Sequence, residues 1–168
     1  CSQHYQLNKQ DFVIGREFDR QGAVISVSTT QNNASQCLLM IGSVFQLLSD
    51  VLYKRYREDK RFVLQTRCSV ASAVEAMQLD ALQASERLTH HLIAKEMALY
   101  LNNEQLKHVG DCYQLVPMPN PTSVLTRHAF MINGMNESCA ELAQQIRTEI
   151  LKGKSQPSTE PDLKDQAS

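Results

Sequence analysis

The alternation of apolar and polar positions divides the chain into segments of strand period and helical period. Phe12-Val13-Ile14 and Ala23-Val24-Ile25-Ser26-Val27 are β-type runs. A polar stretch ending Arg20-Gln21-Gly22 separates them, and together they predict a hairpin. Thr29 to Ser35, rich in Thr, Gln and Asn, reads as a loop. Ser35 can cap the next helix, along which Cys37, Ile41, Val44, Leu48 and Val51 recur at steps of three and four. Leu38, Phe45 and Leu52 widen this stripe, so the helix is expected to lie deep. It should end in Lys54-Arg55-Tyr56-Arg57, whose cations complement the negative end of the helix dipole. Phe62-Val63-Leu64 is too short to separate a strand from a connector.

A second helix is predicted from Ser69 to Leu101. Val70, Val74, Met77, Ala81, Ala84, Leu88 and Leu92 keep helical spacing, and the stretch holds neither Gly nor Pro. The shift near Ile93, Met97 and Leu101 reads as a long helix drifting around its partner. Asn102-Asn103 breaks it, and one further turn from Leu106 to Val109 stops at Gly110. Cys112–Val116 and Ala129–Ile132 read as strands, and Asn133-Gly134 should close the second. Pro117, Pro119 and Pro121 make the connection between them an extended loop. The last helix starts near Asn136, presents Cys139, Leu142, Ala143, Ile146 and Ile150 on one face, and ends at Gly153. The expected fold is mainly α (α+β), with three main helices, a few short strands and up to two disulfides. A tether at 1–10 precedes a single helix-rich domain at 11–153, and a Ser-, Pro-, Lys- and Asp-rich tail at 154–168 reads as disordered.

Charge and composition narrow the function. The 168 residues carry 17 basic and 18 acidic side chains, a net charge of -1, which argues against a nucleic-acid binder. Trp is absent and aromatics are 6%, so platforms for base stacking are scarce. The longest apolar stretch, Cys37 to Tyr53, is interrupted by Ser43, Gln46, Ser49 and Asp50, and no transmembrane helix is expected. There is no nucleophile elbow, P-loop or G-x-G-x-x-G, so no catalytic residue, cofactor or small-molecule substrate is expected.

Other candidates read as structural. Glu86 lies one turn before His90 in the His90-His91 pair. Catalytic zinc takes three protein ligands and the H-E-x-x-H spacing is absent, so no metal is expected and the group reads as a solvated face. His4, His108 and His128 are isolated and receive no role. Lys54, Arg55, Arg57, Lys60 and Arg61 form the densest local charge. They could meet anionic headgroups or an acidic partner, although a solvated helix end accounts for them. Pro117–Pro121 reads as a rigid loop rather than a docking strip. Asn136-Glu137-Ser138 matches a glycosylation sequon by coincidence at a helix start.

Cys1, Cys37, Cys68, Cys112 and Cys139 make an odd count, without any C-x-x-C. With Cys1 set aside, four can close into two disulfides. Of three possible pairings, proximity in sequence favours Cys37–Cys68 and Cys112–Cys139, each worth roughly 3–4 kcal/mol in the chain-entropy model. Four buried thiols in a cytosolic protein are the alternative.

The opening Cys1-Ser2-Gln3, followed by a polar segment to Gln10, resembles a mature bacterial lipoprotein. That resemblance implies acylation of Cys1 and, through Ser2, the outer membrane. Each buried methylene would add about 0.8 kcal/mol of anchoring. Small lipoproteins of this class, pilotin-like proteins among them, serve as assembly factors for secretion, pilus or conjugation machinery. The expectation is therefore a non-catalytic, lipid-anchored factor on the periplasmic face of the outer membrane. It would bind another envelope protein along the apolar faces of the 35–57 or 69–101 helices. The alternatives are a cytosolic helical interaction or regulatory module, and a periplasmic sensing or enzymatic domain built on His90, His91 and Glu86.

Overall fold

A computed structural model describes residues 1–19, 22–58 and 66–153. The segment expected as a tether, 1–10, carries two 3-10 turns, Ser2–Tyr5 and Lys9–Asp11, and Leu7 between them is buried. Strands β1 (Phe12–Asp19) and β2 (Gly22–Val27) pair antiparallel, with Phe12 opposite Val27 and Ile14 opposite Ile25. Gly22 has φ of 103°, a backbone state open to glycine but costly to other residues. This hairpin is a two-stranded sheet separate from the main one.

Helix α1 (Ala34–Tyr56) follows. Then come β3 (Cys68–Ala71), α2 (Ala81–Thr89), β4 (Met97–Tyr100), α3 (Asn103–Gly110) and β5 (Tyr113–Pro117). A four-residue α4 (Val124–Arg127), β6 (Phe130–Met135) and α5 (Glu137–Gly153) complete the described residues. The main sheet has the order β3-β4-β6-β5. β3 and β4 are parallel, and β6 is antiparallel to both β4 and β5.

Side-chain alternation along β4 assigns the helices to two faces. Met97 and Leu99 join a cluster with Leu39, Met40, Val109 and Ile146, which places α1, α3 and α5 on one side. Ala98 joins Leu88 and Met118 on the other side, under α2. Val74, Leu79, Ala84 and Leu125 extend that second layer toward α4. The main sheet is thus covered on both faces.

The expected mainly-α fold with three main helices is corrected. Among the described residues the protein is α+β, with five α-helices, six strands in two sheets and one disulfide. The error sits in 69–101, which is β3, a 3-10 turn at Glu75–Met77, α2 and β4 rather than one helix. Ser69, expected as a cap, lies in β3 and donates its hydroxyl to the Ser85 carbonyl at 2.7 Å. The cap is Asp80: its carboxylate accepts from the Gln83 backbone N–H at 2.8 Å while the Gln83 amide oxygen accepts from the Asp80 N–H at 3.1 Å. Gln78 (φ 53°) and Lys95 (φ 69°) carry the left-handed turns on either side of α2.

The last helix and the two later strands lie where expected, although Asn133-Gly134 continues β6 instead of ending it. The tail at 154–168, Lys60, Arg61 and the Phe62–Leu64 segment lie outside the described residues. α1 has the length and apolar composition of a membrane span, but its buried residues, such as Leu39, Met40 and Val44, face this protein's own sheet.

Candidate functional site

Cys112 and Cys139 are joined by a disulfide that ties the start of β5 to the first turn of α5. Beside it, Asn136 caps α5 by accepting from the Cys139 N–H at 2.9 Å, and its amide donates to the Asp111 carbonyl. The sequon asparagine is thus committed to holding the same junction. Cys37 and Cys68 do not join; both are free thiols, and this corrects the expected second bridge. Their separation follows from where each meets α1, Cys37 as part of it and Cys68 from the start of β3. Cys68 Sγ presses on Gly42, where an added β-carbon would collide with it. Cys37 is five residues earlier, about 7.5 Å along the axis and on another face. It packs with Leu7 and Ala34 near the hairpin. Burial pushes both thiols up to about 11; the Cys1 amino group acts weakly against this at Cys37. Cys1 itself is half-buried against Tyr5 and Cys37.

Among the described residues, large apolar side chains are exposed on two surfaces. α1 is 23 residues long, about 34 Å. The main-sheet strands have four to six residues, about 13–20 Å. The helix therefore overhangs the sheet. Leu52, Tyr53 and Tyr56 at the overhang are exposed, Tyr53 by 53%. Phe45, about two turns further in, is exposed on the same outer side as Leu52. Lys54, Arg55 and Arg57 interleave with these rings, and Arg57 meets Glu58 at 3.6 Å. The second surface is the hairpin, where Ile14 and Ile25 are cross-strand neighbours and both exposed, Ile14 by 68%. Val13 is exposed on the opposite face.

Two clefts break the surface of the main body. One, about 280 Å³, lies between α1 and the sheet. On its floor Ser43 donates to the Leu39 carbonyl at 2.8 Å, which leaves Tyr113 to donate its phenolic hydrogen to Ser43 at 2.9 Å. Burial pushes the Tyr113 hydroxyl well above the usual phenol range, more than the Ser43 contact lowers it. At the mouth, Lys95 pairs with Asp50 at 3.1 Å. The second cleft, about 320 Å³, opens at the carboxyl end of β4 among Tyr100, Leu106, Arg127, His128 and Phe130.

His90 and His91 are exposed at the end of α2, and among the described residues no three His, Cys, Asp or Glu side chains gather to hold a metal. The structure does bring together groups that sequence reasoning kept apart. His128 was isolated in sequence, yet it and Arg127 share the second cleft with Asn103 from α3. No local spacing encodes that meeting; only the sheet order produces it. The hairpin surface had a signal, since Val13-Ile14 and Val24-Ile25 place adjacent apolar residues on opposite faces of each strand, and one face must stay uncovered.

No protein-family model matches the chain, and no curated protein matches it in sequence.

Proposed function

We propose that this protein is a non-catalytic assembly factor of the bacterial envelope that binds another envelope protein. The observation that carries the proposal is the pair of exposed apolar surfaces, the outer side of α1 at Phe45 and Leu52 with its overhanging end at Tyr53 and Tyr56, and the hairpin at Ile14 and Ile25. Contiguous exposed apolar side chains rimmed by charge are characteristic of protein docking sites. A two-stranded hairpin is marginal alone and gains stability when a partner covers it. Residence outside the reducing cytoplasm is favoured by the Cys112–Cys139 bridge. Acylation of Cys1 and outer-membrane attachment enter the proposal through the lipoprotein resemblance alone.

The test is site-specific photo-crosslinking in the native cell. A photoreactive residue at Leu52 or Ile14 should trap one discrete envelope partner, whereas the same residue at exposed Gln83 or Arg87 on α2 should trap none. Leu52→Asp or Ile14→Asp should abolish partner binding without lowering the melting temperature. Equal capture from all four positions, or binding that survives both charged substitutions, would overturn the proposal. Intact mass of the native protein tests the anchor separately.

A further inference from the structure

The cleft at the end of β4 has a position that the topology itself creates. β3 leads into α2 on one face of the sheet, and β4 leads into α3 on the other. Where neighbouring parallel strands send their connections to opposite faces, a crevice opens outside their carboxyl ends, and open α/β sheets bind ligands there. The 320 Å³ cleft lies at that point. Its walls divide by chemistry. Tyr100, Leu106 and Phe130 supply apolar and aromatic surface, while Arg127 and His128 bring nitrogen donors from the end of α4. Asn103 adds a side-chain amide from α3.

Among the described residues, Arg127 has no carboxylate within ion-pairing distance, so its guanidinium is available to a ligand. Its backbone is nonetheless fixed. Ser123 caps the short helix by accepting from the Thr126 N–H at 3.2 Å, and the buried Thr126 hydroxyl accepts from the Thr122 and Ser123 N–H groups at 2.9 and 3.0 Å. Leu125 is fully buried beside Val74 and Ala84. Pro117, Pro119 and Pro121 stiffen the approach from β5. A cation is thus held on a rigid turn over an apolar floor, a combination that suits orienting one charged group of a small molecule.

We propose that this cleft binds a small organic anion. Its carboxylate or phosphate would meet Arg127 and His128, and its flat ring would lie against Tyr100, Leu106 and Phe130. The site is independent of the protein-docking surfaces on α1 and the hairpin.

The test is an NMR titration of the full chain with phenyl phosphate, benzoate, phenol and inorganic phosphate. Phenyl phosphate or benzoate should give saturable shifts centred on Asn103, Leu106 and His128. Phenol and inorganic phosphate should each bind at least about tenfold more weakly, because each carries only half of the recognised chemistry. The tighter of the two ring anions identifies phosphate or carboxylate as the preferred group. Arg127→Gln should weaken binding by roughly tenfold or more, and Arg87→Gln on exposed α2 should leave it unchanged. No saturable binding by either ring anion, phenol binding equal to theirs, shifts centred elsewhere, or an undiminished affinity in Arg127→Gln would overturn the proposal.

Discussion

Cys68 Sγ occupies the space where a side chain at Gly42 would begin, so β3 and α1 meet backbone against sulfur. Met97 Cε lies 3.3 Å from the same position. Gly42→Ala should destabilise the protein by about 1–3 kcal/mol, the usual cost of overpacking. Cys68→Ala in the same chain should return part of that loss, because it removes the atom that collides. Urea unfolding of the two single variants and the double variant checks this, and strictly additive losses would contradict the contact.

The Cys112–Cys139 bridge spans a sequence separation of 27. A closed loop of that size restrains the unfolded chain by about 3–4 kcal/mol. Replacing both residues with Ser should lower stability by that order while leaving far-UV circular dichroism unchanged at 20 °C. Alkylation in denaturant without reductant should leave these two cysteines unmodified and label Cys37 and Cys68. Labelling of Cys112 and Cys139 as well would remove the cross-link from the account.

α1 and α5 were legible because each has one clear apolar period, and the hairpin because a polar stretch ending in Gly22 separates two short β-type runs. The stretch 69–101 was not. Met97-Ala98-Leu99-Tyr100 is a strand covered on both faces and runs on into buried Leu101, and such a strand presents a continuous apolar run with no alternation. A buried helix gives the same run, so periodicity alone could not choose. Asp80-x-x-Gln83 and Asn102-x-x-Gln105 were usable signals, since both are capping boxes and mark where helices start. The broad α1 stripe, with Phe45 and Leu52 in it, predicted a deep helix; Leu52 is exposed because the helix outruns the short strands beneath it, and Phe45 because it lies on the outer side, away from buried Val44. The Arg127–His128 cleft had no sequence signal at all, since α3, α4 and the ends of β4 and β6 meet only once the sheet is ordered.

Tyr113 and Ser43 form a buried relay that ends on the Leu39 carbonyl. Tyr113→Phe removes one donor and should cost about 1 kcal/mol. Ser43→Ala leaves the buried Tyr113 hydroxyl without its acceptor and should cost more, about 1–3 kcal/mol. Combining the two should cost less than their sum, because no orphaned hydroxyl remains. Equal effects of the two single substitutions, or full additivity, would mean the hydroxyls do not depend on each other.

Stability should fall in alkaline solution through the buried thiols. In the folded state Cys37 and Cys68 are each pushed from 9.0 up to about 11, and Tyr5 from 10.0 up to about 12, all chiefly by burial. An acid whose folded value is raised holds its proton more tightly when folded, so its contribution is complete below the unfolded value. For the thiols the contribution is complete below about pH 9 and is lost as pH rises toward 11; for Tyr5 the corresponding window runs from 10 to about 12. The urea midpoint should therefore be flat near pH 8 and decline steeply above pH 9. A chain carrying both Cys37→Ala and Cys68→Ala will be less stable at neutral pH, because core volume is lost. Its midpoint should nevertheless decline less between pH 9 and 11, since the two thiols with raised values are gone. Parallel pH profiles for the two chains would show that the thiols titrate as they do in water and carry none of the alkaline loss.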